Sequence, residues 1–140
     1  MSAGLERFVD AQRDSYATAL AELKAGAKLT HWMWFVFPQI AGLGRSDTAR
    51  FYAISDVVEA RAYLAHPLLG PRLVEATEAL LTHAGRSAES ILGPIDGMKL
   101  ASSMTLFEAA AGDSARAQPF TRCLDLFFAG RRDVATLNRL

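Results

Sequence analysis

His31-Trp32-Met33-Trp34-Phe35-Val36-Phe37-Pro38-Gln39 carries six apolar residues in a row, Trp32 to Phe37, and both tryptophans of the 140-residue chain. A run with no polar face must be buried on every side or must line a pocket, because leaving it in water forfeits roughly 25 cal/mol per Å². The stretch therefore marks the centre of a core or the wall of a site. Thr30 is a candidate cap for a short helix through the run, which Pro38, Gly42 and Gly44 bring to an end; a buried strand is the alternative.

Outward from this segment the pattern is helical. Leu5, Phe8, Val9, Tyr16, Leu20 and Leu23 recur at helical spacing and predict one helix from Leu5 to Leu23, with Gly26 as its stop. Asp47 is a candidate cap for Thr48 to Ile54. Asp56-Val57-Val58-Glu59 has capping-box spacing and opens Val57 to Ala65, which His66-Pro67 breaks. A longer helix is expected from Pro71 to Ala84, ended by Gly85. Ser87 caps Ala88 to Leu92, and Asp96 caps Met98 to Ala111. Pro119 sits in the first turn of Phe120 to Ala129, Gly130 closes that helix, and Asp133 caps a last piece from Val134. The fold class that follows is all-α: a single compact multi-helical domain over residues 1–140, with several short helices around a buried aromatic segment.

Composition narrows the function. Fifteen basic residues balance fifteen acidic ones, so no broad positive field exists to hold nucleic acid or an acidic membrane. Cys123 is the only cysteine, which rules out an internal disulfide and a cysteine zinc cage and suits a reducing cytoplasm. No stretch approaches the ~18 apolar residues of a membrane span, and the start of the chain does not read as an export signal. A cytoplasmic protein without membrane or nucleic-acid partners is expected.

The nonapeptide, followed by Gly42-Leu43-Gly44-Arg45-Ser46, resembles the opening signature of an uncharacterised bacterial domain family. The resemblance continues through Tyr52-Ala53-Ile54-Ser55, Glu59-Ala60, Tyr63-Leu64-Ala65-His66-Pro67, Leu69-Gly70-Pro71-Arg72-Leu73, Gly93, Asp96, Lys99-Leu100 and Ser102-Ser103-Met104-Thr105-Leu106-Phe107, nearly the whole chain. It implies a mainly helical fold. Many members of that family are labelled calpastatin; a calpain inhibitor of that kind is a long disordered repeat chain that folds on binding, unlike this apolar, tryptophan-bearing sequence. The resemblance thus implies a fold and assigns no catalytic residue.

The polar residues interleaved with the signature are the candidate ligand-binding set. In a helix over residues 30–37, His31, Trp34 and Phe35 lie on one side and Trp32, Phe35 and Val36 on another. Lys99 aligns with Ser102 and Ser103 on one face of the following helix. One reading is a pocket in which Trp32 or Trp34 stacks a planar ring, Arg45 and Lys99 hold a phosphate or carboxylate, and Gln39, Ser102 and Ser103 orient it. A nucleotide or ADP-ribose-like ligand fits that inventory, with His31 and Ser46 beside it. No metal and no resident cofactor is called for, since no His/Asp/Glu set has ligand spacing. The structural alternative makes the tryptophans core anchors, with His31 bonded to backbone and Lys99 reaching water along a buried helix. A second function is an interaction module that binds another protein or a second copy of itself through the helix from Phe120 to Phe128. A third is a hydrolase or transferase in which Lys99 deprotonates Ser102 or Ser103; no oxyanion-hole motif accompanies that pair.

Overall fold

The computed structural model describes residues 3–112 and 115–140. In chain order its helices are α1 (Ala3–Arg13), α2 (Tyr16–Ala25), α3 (Met33–Val36), α4 (Asp47–Phe51), α5 (Val57–Ala65), α6 (Leu69–Leu81), α7 (Ala88–Leu92), α8 (Pro94–Ala111), α9 (Gln118–Phe128) and α10 (Val134–Leu137), with a 3₁₀ turn at Ala115–Ala117. Among the described residues no strand forms, and the architecture is all-α. The one trace of β pairing is a parallel bridge between Ile40 and Ile54. There the Ile54 amide donates to the Gln39 carbonyl and the Ala41 amide to the Ile54 carbonyl, both at 2.8 Å, which ties the two ends of the glycine-rich loop together.

Helix starts follow side-chain chemistry where a cap exists. Asp56 accepts from the Glu59 amide at 2.9 Å, Ser87 from Ser90 at 3.0 Å and Asp133 from Thr136 at 3.1 Å, so α5, α7 and α10 begin where the sequence places them. Four helix boundaries in this set need correction, and a fifth, at Thr30, follows below. The helix expected over Leu5 to Leu23 breaks between α1 and α2, where the Ser15 hydroxyl donates to the Ala11 carbonyl at 2.5 Å and the chain turns. Ser46, not Asp47, caps α4, its hydroxyl accepting from the Ala49 amide at 3.1 Å. α6 begins at Leu69, two residues before Pro71, because His66 Nδ1 accepts from the Leu68 and Leu69 amides. α8 begins at Pro94, preceded by Gly93 at φ 91°, so Asp96 lies inside the first turn rather than at the cap.

α8 is the most enclosed element. Every residue from Ser102 to Phe107 on it is buried, as expected of a helix surrounded by others, and it packs against α5, α7, α9 and α10. Small residues permit the close approach: a Cβ on Gly97 would stand 3.2 Å from the Glu89 amide nitrogen of α7. α6 packs on α2, α5 and α9, while α1 covers α3. The aromatic segment joins this core through Trp32, Met33, Val36 and Phe37, all buried. Only Met33–Val36 is helical, a single turn; Thr30 does not cap it, since its hydroxyl donates to Glu22 instead.

Candidate functional site

Gly26, in the left-handed region at φ 74°, ends α2 and lets the chain reverse. The Lys28 amide then donates to the Ile91 carbonyl at 2.9 Å, laying residues 27–31 across the junction of α7 and α8. The two faces of this crossing segment do different things.

The inward face closes on Glu22, a carboxylate buried at 8 % exposure. It accepts from the Leu29 amide at 2.8 Å, the Thr30 amide at 3.0 Å, the Thr30 hydroxyl at 2.7 Å and the Trp32 indole at 2.9 Å. Burial by itself raises this carboxyl, but the hydrogen bonds from Trp32, Leu29 and Thr30 outweigh it and bring the pKa down to about 2. Trp32 is accordingly a core anchor, 1 % exposed, and its face is not open to a ligand.

The outward face forms a cleft of about 240 Å³ lined by Lys28, His31, Trp34 and the residues from Leu92 to Asp96, with Met33 at its base. Lys28 Nζ lies 2.9 Å from Asp96 Oδ2, donates to the Thr30 carbonyl at 2.6 Å and stands 5.1 Å from the Trp32 ring centroid, so its bonding is complete. Lys99 is less occupied: its ammonium is 3.6 Å from Asp96 Oδ1 and 5.1 Å from the centroid of the Trp34 ring, over the half-buried indole. His31 is exposed and makes no hydrogen bond with the described residues. Two ammonium groups thus share one carboxylate, and the first turn of α8, where Pro94 has no N–H and the Ile95 and Asp96 amides lack intrahelical acceptors, faces the same space.

Of the residues singled out in the sequence, His31 and Trp34 line this cleft, and Lys99 lies beside it, over the Trp34 ring. The others go elsewhere. Gln39 lies behind Trp34, in a crevice of about 10 Å³ with Gly44, Ala49 and Tyr52, too small for any ligand. Arg45 is exposed and makes no hydrogen bond or ion pair with the described residues, and Ser46 is the α4 cap. Ser102 donates to Asp133 Oδ2 at 3.1 Å. Ser103 is fully buried, and its hydroxyl finds no partner among the described residues. Neither serine is hydrogen-bonded to Lys99. Sequence reasoning passed over Lys28 and Glu22. The available signal was Glu22 itself, a charge between buried Ala19 and Leu23 on a helix that also buries Tyr16.

Other clusters are internally satisfied. Gln12 Nε2 donates to the Phe35 carbonyl at 2.7 Å and to the Tyr63 hydroxyl at 3.2 Å, pinning the aromatic segment from behind. Arg132 binds Glu108, which also takes the Thr121 hydroxyl; these bonds, the arginine first, hold Glu108 below the usual carboxylate range. Burial pushes the Cys123 thiol up to about 12, where it is an inert packing group. A larger groove of about 630 Å³ runs between α6 and the start of α9, but its Glu75 is bonded to Tyr16 and its Arg116 to the Leu64 carbonyl. Among the described residues no group of three His, Cys, Asp or Glu side chains is placed to hold a metal, and no helix is long and apolar enough to cross a membrane.

These features define a small, all-α domain with a tryptophan-walled cleft at the start of its longest helix. The chain belongs to the family described as a protein of unknown function, DUF1810, which matches residues 2–140. It is similar to the conserved hypothetical protein Rv1873 from Mycobacterium tuberculosis, whose crystal structure it matches with a TM-score of 0.93 at 49 % identity, over 97 % of this chain and 95 % of that one. No curated protein matches the chain.

Proposed function

We propose that the cleft beside His31 and Trp34 binds a small anion, a carboxylate or phosphate carrying one planar ring. The observation that carries this reading is the charge balance around the cleft: Lys28 and Lys99 share the single carboxylate of Asp96, and only Lys28 is saturated. Lys99 retains free donors, and the first amides of α8 add positive potential at the same point. A ring entering beside the indole of Trp34 would exchange water for an aromatic face. Specificity would come from that face and from the imidazole of His31.

Size refines the ligand. At about 240 Å³ the cleft lies below the ~300–1,000 Å³ common for drug-sized ligands, which argues for one ring and one anionic group. The far half of an ADP-ribose-like molecule would lie outside it.

The test is thermal unfolding of the full chain with inorganic phosphate, benzoate, AMP and ADP-ribose, with Lys99→Gln in parallel. A ligand at about 100 times its Kd stabilises by ~2.7 kcal/mol, a rise of several degrees in Tm. Benzoate or AMP is expected to give that rise, ADP-ribose no more than AMP, and Lys99→Gln to remove it. No shift with any of the four would overturn the reading.

A further inference from the structure

The groove between α6 and the start of α9, at about 630 Å³, falls within the ~300–1,000 Å³ of small-molecule sites. Its apolar lining comes from Pro71 and Val74, one turn apart on α6, with Pro119 of α9 and Leu64 at the end of α5. Gly70 lets α6 start against α5, because a Cβ there would collide with the Leu64 carbonyl oxygen. Charge is sorted along this lining. Arg116 marks the Gly70 end, where its Nη2 donates to that same carbonyl at 3.5 Å. Glu75 and Glu78 lie further along α6, and from Gly70 to Glu78 the helix axis advances ~12 Å. The bonds at these groups engage one nitrogen of Arg116 and one oxygen of Glu75, which takes the Tyr16 hydroxyl. Glu78 is exposed and makes no hydrogen bond or ion pair with the described residues. Arg72, on the same helix, is occupied elsewhere: its guanidinium lies 4.6 Å from the Tyr16 ring centroid and donates to Gln12 at 3.4 Å.

We infer that this groove binds a small elongated zwitterion, its ammonium group at Glu75 and Glu78, its anionic group at Arg116, and its apolar body over Pro71 and Val74. Charge complementarity selects this occupant. An apolar anion would answer Arg116 and leave two carboxylates without a counter-charge. An apolar cation would answer the carboxylates and leave Arg116 unanswered. A molecule charged at both ends meets every ionised group that lines the groove, and its middle covers the apolar surface between them. The groove shares no lining residue with the cleft at His31, and the inference is independent of the anion reading above.

Calorimetric titration of the full chain with ω-aminooctanoate, octanoate and octylamine tests it. The ω-amino acid is expected to bind at least tenfold more tightly than either singly charged probe. Glu78→Gln should weaken the ω-amino acid and octylamine at least fivefold and leave octanoate unchanged. Arg116→Gln should weaken the ω-amino acid and octanoate to a similar degree and leave octylamine unchanged. Both side chains are exposed, so both variants should melt as the parent does. Val74→Phe, which fills the groove from its floor, should abolish binding of the ω-amino acid, and Lys99→Gln should leave it unchanged. Octylamine that binds as tightly as the ω-amino acid, or an ω-amino acid indifferent to Arg116→Gln, would reduce the site to a cation groove and overturn the inference. Binding that Lys99→Gln removes would belong to the other cleft and overturn it too, as would no binding of the ω-amino acid at all.

Discussion

Glu22 and Asp96 are two carboxylates a few residues' reach apart, on either face of the same crossing segment, and they are treated in opposite ways. Glu22 is enclosed and receives four hydrogen bonds from Leu29, Thr30 and Trp32. Asp96, 19 % exposed at its side chain, faces two ammonium groups in a cleft open to water, one of them held at 3.6 Å and only partly engaged. The first arrangement leaves nothing for a ligand to add, because every buried donor has its acceptor. The second keeps unspent donors where a solute can reach them. On the proposed reading, stability resides on one face of the segment and recognition on the other.

Replacing Glu22 should break this division most severely. Glu22→Ala strands the buried indole N–H and removes the acceptor of two part-buried backbone amides, and a loss of ~2–3 kcal/mol is expected in denaturant unfolding. A loss under 1 kcal/mol would show that water satisfies those donors and that the inner face is not the structural one. The pH dependence sharpens the same point. The folded-state pKa of about 2 lies below the ordinary value of 4.5, so the carboxylate contributes stability that is complete above about pH 4.5 and is lost as pH falls toward about 2. Up to ~3 kcal/mol is involved, and Glu22→Gln should flatten that acid limb of the stability profile.

On the outer face the effects should be smaller. Lys28→Met removes an ammonium 8 % exposed at its side chain but leaves Asp96 paired with Lys99, so a loss of ~1–2 kcal/mol is expected. Lys99→Gln should change unfolding by less than ~0.5 kcal/mol, as partly exposed pairs contribute little, while weakening benzoate about tenfold in titration. A Lys99→Gln protein that unfolds readily and binds normally would invert the comparison.

The fold was legible in the sequence wherever one side chain decides a boundary. Asp56, Ser87 and Asp133 each cap the helix that follows them, and those helices begin where the local chemistry places them. Boundaries set by backbone geometry were not. Asp96 reads as a cap because aspartate favours both the cap and the first turn of a helix, and Gly93-Pro94 had already supplied the start. The break at Ser15 is silent in the pattern, since apolar spacing continues through it. The site was legible by half. His31 and Trp34 share unusual surroundings in the sequence and line one cleft, with Lys99 over the Trp34 ring, but Arg45 and Ser46 belong to a loop whose path depends on the Ile40 to Ile54 bridge, a pairing no local pattern announces. Lys28 went unnoticed for the opposite reason. A lone lysine before a loop reads as solvated until Asp96, 68 residues on, is brought to it.

The two indoles also make the chain its own optical instrument. Trp32, 1 % exposed and hydrogen-bonded to Glu22, should emit at short wavelength and report whether the interior is intact. Trp34, half-buried beneath the Lys99 ammonium at the cleft wall, should emit to the red and respond to whatever enters. With phenylalanine at one position and then the other, a single cuvette would separate folding from occupancy without any added dye.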